Sequence, residues 1–409
     1  MKSAHRSDSL FQLAVIVSAL GFFVDVYDLL LFGIIRKPSL AELGLTPAEI
    51  LSEGEWIISL QMTGLLIGGI FWGILGDKYG RLKVLFGSIL MYSVANILNG
   101  LVATPGQYAG LRFMAGFGLA GELGAGITLV SEILPASRRG IASAMIAGFG
   151  ILGAVAAFFM KTMFDWRTCF FIGGGMGLLL LVMRVSVHES GLYQQLNDTR
   201  VAKGKFTMFF TDKNRFRRYL LCVMIGLPAW YIIGILVTFS DQFAAAFGVQ
   251  DIDPGRAIMF LYLSISFGDL TVGLLSQYLK SRRKALLVFY GIAMLFCVLF
   301  FTQGPGSAGR FYAICAGLGF GCGFTVVYIT MSAEQFGTNL RASAAISIPN
   351  VVRGLLPVII LVFRLLREWT GNYVTGAWLT GILLFALAIM AATKIEETFG
   401  ANLDFVEKE

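Results

Sequence analysis

The chain has 409 residues, of which 56% are hydrophobic and only 14% are charged, and its mean hydropathy is +0.76. Soluble domains carry about 25% charged residues, so this composition excludes a soluble globular protein and predicts an integral membrane protein. The formal net charge of +7 does not indicate a nucleic-acid partner, because the basic residues lie in short loops between apolar segments.

Apolar segments long enough to cross a bilayer, which takes about 20 residues, recur along the whole chain. Twelve spans are predicted, in an all-α membrane fold of two pseudo-symmetric six-helix bundles. They cover residues 10–35, 56–76, 83–103, 107–134, 140–163, 168–187, 219–240, 256–279, 284–303, 308–334, 341–366 and 372–393. The first span follows a basic segment, as in a signal peptide, but it is too long and no small-residue cleavage site follows, so we expect it to be retained.

The longest polar interruption, residues 188–218, is basic and lies near the middle of the chain. It is interpreted as a cytoplasmic linker between an N-terminal bundle at 1–187 and a C-terminal bundle at 219–409, which ends in a short cytoplasmic tail. The other basic loops lie on the same side as this linker, whereas several loops of the opposite side are acidic. Because Lys and Arg accumulate in cytoplasmic loops, both termini are predicted to be cytoplasmic, in a multi-pass protein of the cell (inner) membrane.

The two predicted halves repeat a charged pattern. Glu132 stands seven residues before Arg139, and Glu334 stands seven residues before Arg341. Each pair closes a Gly-rich span, and the two pairs lie 202 residues apart. A duplicated six-helix unit is typical of secondary transporters.

The first span contains two acids, Asp25 and Asp28, within the sequence GFFVDVYDLLLFG. A charge at the centre of a bilayer costs about 2.5–3.5 kcal/mol on insertion scales, so two acids need a functional or structural reason. Residues three apart share one face of a helix. Arg112 and Glu122 lie in the fourth span, and an intramembrane acid that faces a water-filled cavity is a candidate proton or ion site.

The loop after the second span reads GILGDKYGRLK. Gly73, Asp77, Gly80, Arg81 and Lys83 match the signature G-x-x-x-D-x-x-G-R-x-[KR], and with its twelve spans the chain resembles the major facilitator superfamily. The resemblance implies alternating access and a loop that holds the two halves together on the cytoplasmic side. The other residues assigned to this cytoplasmic gate are Glu132, Arg139, Glu334 and Arg341.

The first and fourth spans resemble those of particular branches of this superfamily. Arg112 followed by glycines, and the pattern E-x-x-P-x-x-x-R-G at 132–140, resemble the sugar-porter, metabolite:proton symporter and phosphate:proton symporter branches. In the superfamily these two spans line the central cavity. The resemblance makes Glu122 the expected proton carrier, with Asp25 or Asp28 ionised against Arg112. The alternative is that all three acids are structural partners of polar groups in adjacent helices.

The second half contributes different polar residues. Arg353, halfway along the eleventh span, is costly there unless it is paired or faces water. It is predicted either to bind an anionic group of the substrate, since a guanidinium binds carboxylate or phosphate in two places, or to form a salt bridge with Asp269. Pro228 is expected to bend the seventh span. The remaining candidate lining residues, with packing as the alternative for the aromatic ones, are Tyr27, Trp230, Tyr231, Tyr328 and Asn350.

The carboxyls of the first and fourth spans, together with Arg353, predict a secondary-active transporter that couples protons to symport of a small, organic-acid-like anion. The alternatives are a proton-coupled exporter (antiporter) of a metabolite or drug, and a symporter of a neutral solute such as a sugar. A membrane enzyme is disfavoured, because the sequence has no nucleophile–base constellation and no phosphate-binding Gly loop.

No metal or cofactor is indicated. The five cysteines lie in apolar spans without metal-ligand spacing and are expected to be buried thiols. The expected partners are the small-molecule substrate, protons and the lipid bilayer, and we expect a monomer that binds no nucleic acid.

Overall fold

The computed structural model of the chain describes residues 13–79, 81–121, 136–185, 207–400 and 405–407. Within these ranges the regular secondary structure is helical throughout. The helices are α1 (Leu13–Glu42), α2 (Pro47–Tyr79), α3 (Arg81–Asn99), α4 (Pro105–Leu119), α5 (Ala136–Met163), α6 (Trp166–Val185), α7 (Met208–Thr211), α8 (Lys213–Tyr231), α9 (Ser240–Phe247), α10 (Pro254–Leu279), α11 (Arg282–Thr302), α12 (Ala308–Cys322), α13 (Thr325–Glu334), α14 (Thr338–Gly354), α15 (Leu356–Thr370) and α16 (Tyr373–Lys394). A π-helical segment, Ile232–Val237, continues α8.

The predicted all-α membrane fold is confirmed. Among the described residues, nine helical stretches are long and apolar enough to cross a membrane, and shorter apolar helices occupy Leu85–Asn99 and Gly148–Met163. The fourth predicted span, 107–134, begins within α4, and its residues 122–134 lie outside the described part of the chain. We refer to α1–α6 as the first half and to α7–α16 as the second half; the exact domain division remains a prediction.

The loops that connect the helices meet at two opposite faces. Glu42, at the end of α1, accepts hydrogen bonds from Trp166 at 2.7 Å and Arg167 at 3.1 Å, and Arg167 also donates to the carbonyl groups of Gly100 and Val102. These contacts join the turns after α1, α3 and α5 at one face, which we call the distal face. The opposite face, where α8 and α11 begin and α16 ends, is the basal face.

Several helix ends differ from the predicted spans for identifiable reasons. Helix α1 runs to Glu42 rather than 35, because Arg36, which looked like the end of the apolar run, is fully buried and paired. Helix α8 begins at Lys213, inside the predicted linker, where the Asp212 carboxylate accepts hydrogen bonds from the first-turn amides of Asn214 and Arg215 and so caps the helix.

Two spans predicted as continuous are interrupted. The tenth breaks at Gly323 and Phe324, between α12 and α13. The eleventh breaks at Leu355, immediately before Pro357 in the first turn of α15. Proline has no amide hydrogen to continue the helical ladder, which accounts for the second break. The π-helical segment follows Pro228 by four residues, and such segments are frequent at functional sites.

The internal repeat has a counterpart in the packing. A Cβ atom on Gly116 of α4 would overlap the carbonyl oxygen of Gln61 in α2, and one on Gly319 of α12 would overlap that of Leu261 in α10. Each glycine therefore lets two helices approach at backbone distance, as in small-residue packing of membrane helices. The same device joins α2 to α4 in the first half and α10 to α12 in the second.

The sequence GLLSQYLKSRRK, at the junction of α10 and α11, is a second copy of the signature loop that lacks the acid, and another residue supplies a carboxylate there. Gln277 stands where the acid is expected, but Glu397, after α16, accepts hydrogen bonds from the Ser281 hydroxyl and from the amides of Arg282 and Arg283 at the start of α11. Burial opposes ionisation, but these hydrogen bonds outweigh it and lower the pKa of Glu397 below its ordinary value. A carboxylate at the helix N-terminus is thus supplied from elsewhere in the chain.

Candidate functional site

The most deeply buried ion pair joins α1 to α4. Asp28 Oδ1 lies 2.9 Å from Arg112 Nη2 and 3.1 Å from Nη1, and both side chains are fully buried. Asn96 of α3 accepts from Arg112 at 3.4 Å, and the Phe170 ring lies 5.2 Å from the guanidinium carbon. Asp28 is therefore the acid that compensates Arg112, and the pair belongs entirely to the first half.

We expect Asp28→Asn to destabilise the protein by about 3–5 kcal/mol, because it leaves the buried Arg112 guanidinium without its carboxylate. The thermal unfolding midpoint of the purified protein in detergent measures this. The double variant Asp28→Asn/Arg112→Gln removes both charges and is expected to recover much of the loss. Equal destabilisation of the single and double variants would contradict this assignment.

The second acid of α1 faces the other half of the molecule. Asp25 Oδ2 lies 3.9 Å from Nη1 of Arg353 in α14; the Asp25 side chain is 2% exposed and that of Arg353 is 15% exposed. The guanidinium carbon of Arg353 is 5.8 Å from the centre of the Trp230 ring. Tyr262 of α10 is buried within electrostatic reach of both charges. These four residues, Asp25, Trp230, Tyr262 and Arg353, form the central cluster.

The geometry of the central cluster can be compared with the two roles predicted for Arg353, which are binding an anionic substrate and pairing with Asp269. A 3.9 Å separation allows attraction but exceeds a good hydrogen bond, so the guanidinium keeps donors for another anion. Asp269, the partner named from sequence, lies on α10 where that helix crosses the break between α12 and α13, against Gly323. Sequence reasoning missed Tyr262, because a tyrosine in an apolar span carries no signal of its own.

The other predicted lining residues fall in different places. Asn350 is buried where α14 packs against Gly69 of α2, between the halves. The hydroxyl of Tyr27 donates to the carbonyl of Cys169 at 2.9 Å, and that of Tyr231 donates to the carbonyl of Ala377 at 2.7 Å. Tyr328 is buried against Gly226. The structure thus brings Asn350 to the interface, whereas the three tyrosines pack within their own halves.

Much of the predicted cytoplasmic gate lies outside the described structure. Glu334 is described: it forms a salt bridge to Arg282 of α11, with Nε to Oε2 at 2.6 Å, and Arg341 stands in the first turn of α14 on the same face. The described part of the chain does not include Gly80, Glu122 and Glu132. Only the backbone is described for Gly73, Asp77, Arg81, Lys83 and Arg139.

A set of ion pairs that the sequence did not indicate joins the halves near the distal face. Arg36 pairs with Asp241 at 2.8 Å, with both side chains buried, and its guanidinium lies 4.5 Å from the Phe239 ring. Two further pairs cross the same boundary. They are Glu55 with Arg367 at 3.0 Å and Lys161 with Asp253 at 2.6 Å. We call these six charged residues the distal latch.

The space between the central cluster and the distal latch is nearly closed. A cavity of about 20 Å³ lies there, lined by apolar side chains and by Gln61, Trp230 and Thr238. That volume holds about one water molecule. Among the described residues, the ion pairs between the halves lie at the central cluster or distal to it. The structure therefore represents a state closed on the distal side.

Metal-ligating groups are not assembled in the part of the chain described here: no three His, Cys, Asp or Glu side chains converge there. All five cysteines are buried and free of disulfides, as expected.

Residues 13–361 match the sequence model of the Major Facilitator Superfamily. The chain belongs to the major facilitator superfamily. It is a multi-pass membrane transporter rather than an enzyme, which confirms the resemblance carried by GILGDKYGRLK and by the fourth span. A small molecule is accordingly its transported partner.

Similar proteins are transporters named for several different solutes. The chain is 26% identical over 423 residues to a niacin transporter of Acinetobacter baylyi, covering 95% of each chain. It is 25% identical to a gentisate transporter of Corynebacterium glutamicum, covering 93% of this chain and 88% of that one. A putative metabolite transport protein of Haemophilus influenzae is 31% identical, over 58% of this chain and 57% of that protein.

The fold is also found in a solved structure. The crystal structure of a D-xylose-proton symporter superposes with a TM-score of 0.69, covering 97% of this chain and all of that chain, at 16% sequence identity. At that identity the likeness concerns the fold alone.

Proposed function

We propose that this transporter carries a small organic anion together with protons, and that Arg353 binds the anion. The observation that carries the proposal is the position of Arg353: it is mostly buried, it lies between the halves, and the carboxylate of Asp25 stands 3.9 Å away. A guanidinium can bind a carboxylate through two parallel hydrogen bonds. In alternating access, a solute bound between the halves is exposed first to one side and then to the other.

Asp25 offers a route for coupling the anion to a proton. In the structure Asp25 is the anion beside Arg353. A substrate carboxylate that binds Arg353 would take over that role and leave Asp25 buried without its cation. A buried carboxylate in that position is far more stable when protonated. Anion and proton would therefore bind together, and the loaded cluster would carry no excess charge.

The surroundings of Arg353 favour a flat anion. Trp230 places an aromatic surface beside the guanidinium, and a conjugated ring stacks well on such a surface. Niacin and gentisate, named for two similar proteins, are both aromatic carboxylates. We infer that aromatic or conjugated monocarboxylates are the preferred substrates of this chain as well.

Glu122 remains a second candidate for the proton carrier, as proposed from the sequence. The two carboxyls are separated by comparing Asp25→Asn with Glu122→Gln. The variant that lacks the proton carrier should lose uptake driven by a pH gradient but keep exchange of substrate across the membrane. Asp269, Asn350 and the cytoplasmic gate residues stay assigned as predicted, as positions that line or close the pathway. The contacts of Tyr27, Tyr231 and Tyr328 within their own halves favour the packing alternative for these three residues.

The basal face is assigned to the cytoplasm of a bacterial-type inner membrane. The basic loops, the linker and both ends of the chain belong to that side, and Lys and Arg are retained there. A protein closed at the distal face would then be closed toward the outside. We expect the transporting unit to be a monomer, as predicted from the sequence.

Uptake into liposomes tests the proposed function. The purified protein would be offered nicotinate, gentisate, phosphate, a dicarboxylate and xylose, each at acidic and neutral outside pH. We expect uptake of the aromatic monocarboxylates, faster at acidic outside pH because protons enter with the anion. Uptake of xylose alone, or uptake that does not respond to pH, would refute proton-coupled anion symport.

A further inference from the structure

A second polar cavity lies far from the central cluster, on the basal face of the second half. Its volume is about 350 Å³, and it opens between the start of α8 and the end of α16. Three cations line it, Arg217, Arg218 and Lys394, with Glu396 as the carboxylate in its wall. We propose that this cavity binds the phosphate group of an anionic phospholipid.

The cations of this cavity are not all used in the fold. Arg218 is committed: it donates to the carbonyl of Gln335 at 2.6 Å and to the carboxylate of Glu407 at 2.8 Å. Arg217 and Lys394 form no ion pair with a carboxylate of the described residues. Both are exposed toward the cavity mouth, and Asn214 adds an amide donor. The hydrogen-bond donors of Arg217, Lys394 and Asn214 therefore favour the binding of an anion in this cavity.

The level of the cavity in the membrane indicates a lipid as the source of that anion. Lys213 begins one candidate membrane span and Lys394 ends another, so the cavity lies at the boundary where headgroups are found. At the same end of the second half, on α7 and on the face of α8 away from the cavity, the large apolar side chains of Phe210, Phe216 and Leu220 are 52%, 43% and 42% exposed. Basic pockets between membrane helices at this level are suited to lipid headgroups, while exposed apolar side chains contact acyl chains.

The site is separate from the transport pathway. Its lining comes from α8, α16 and the residue after α13, all within the second half. Helices α8 and α16 pack directly on one another, as the hydrogen bond from Tyr231 to Ala377 illustrates. A headgroup bound between their basal ends would hold this helix pair at a fixed depth without contacting the substrate.

Lipid binding to the full-length protein in neutral detergent tests the proposal. Phosphatidylglycerol is titrated and its binding is followed by native mass spectrometry, with zwitterionic phosphatidylcholine as the lipid control. Arg217→Gln/Lys394→Gln is expected to weaken phosphatidylglycerol binding by about fivefold for each cation removed. Lys213→Gln/Lys284→Gln removes the same charge from the same face outside the cavity, and it should leave the affinity unchanged.

The alternative outcomes are distinct. Equal weakening in both double variants, or equal affinity for the two lipids, would overturn the site in favour of diffuse attraction. Soluble glycerol 3-phosphate is the second probe. If it binds as tightly as phosphatidylglycerol, and is lost in the same variant, the source of the anion is a free phosphate ester and the lipid assignment is overturned.

Discussion

Arg353→Gln is expected to raise the Kd for the transported monocarboxylate by about 100-fold or more. Removing one partner of a buried, hydrogen-bonded charge pair costs about 2–5 kcal/mol, and each 1.4 kcal/mol is a factor of about ten in affinity. The binding of nicotinate or gentisate to the purified protein, measured by isothermal titration calorimetry, gives this value directly. Uptake in liposomes should fall in parallel, because no other cation of the central cluster can receive the carboxylate.

Two further variants separate anion binding from a structural role of Arg353. Arg353→Lys keeps the charge but loses the planar fork, so its affinity should be intermediate. Arg310→Gln is the matched control, because Arg310 is exposed and bonds only nearby carbonyl groups, among them that of Gly304. If the Arg353→Gln protein binds the anion normally, Arg353 is only a structural partner of Asp25, and the anion binds at another site.

Arg36→Gln is expected to open the distal side of the transporter. Breaking the buried pair leaves Asp241 with Lys37, 3.4 Å away and 51% exposed, as its remaining cation among the described residues. Losing one partner of a buried pair costs about 3–5 kcal/mol, and the weaker pair with Lys37 offsets part of that cost. That cost applies only while the two halves are closed at the distal face, because the Asp241 carboxylate is hydrated again when they separate. The substitution therefore destabilises the closed state relative to the open one. The distal-open population should therefore rise at least about tenfold. The measurement is the labelling rate of Ile58→Cys, in the cavity below the latch, by an impermeant thiol reagent in a cysteine-free background.

Two controls show whether the effect belongs to the contact between the halves. Arg167→Gln also breaks an ion pair near the distal face, but its partner Glu42 is in the same half, so labelling should not change. Exchanging the charges, Arg36→Asp with Asp241→Arg, should restore slow labelling in part. Faster labelling in Arg167→Gln as well would mean that the distal end is merely loosened, and that the latch has no specific role in alternating access.

The helices and the identity of several site residues could be predicted because their signals are local. A run of apolar residues is visible in the sequence, and so is a charge that interrupts it at the cost that a bilayer imposes. Asp25, Asp28, Arg112 and Arg353 stood out for that reason. The spacing of Asp25 and Asp28 also placed them on one face of a helix, although it did not indicate that they would contact different cations in different halves.

The distal latch could not be predicted from the sequence. Arg36, Glu55 and Arg367 stand near the ends of their helices, where charges are ordinary because water and headgroups are near. The burial of Arg36 and Glu55 follows only from the approach of the two halves, which brings together residues far apart in the chain. The carboxylate that Glu397 supplies to the start of α11 has the same origin, since Arg282 and Glu397 are neighbours only in the folded bundle.

The sequence by itself determined that the chain is a helical membrane transporter, and which charged side chains its spans must accommodate. Both follow from the free energy of burying each residue in lipid, which depends mainly on the residue and its segment. Only the tertiary structure decided the partners: Asp28 with Arg112, Asp25 with Arg353, and Arg36 with Asp241. An ion pair depends on the distance between two side chains, and that distance is set by how the helices pack.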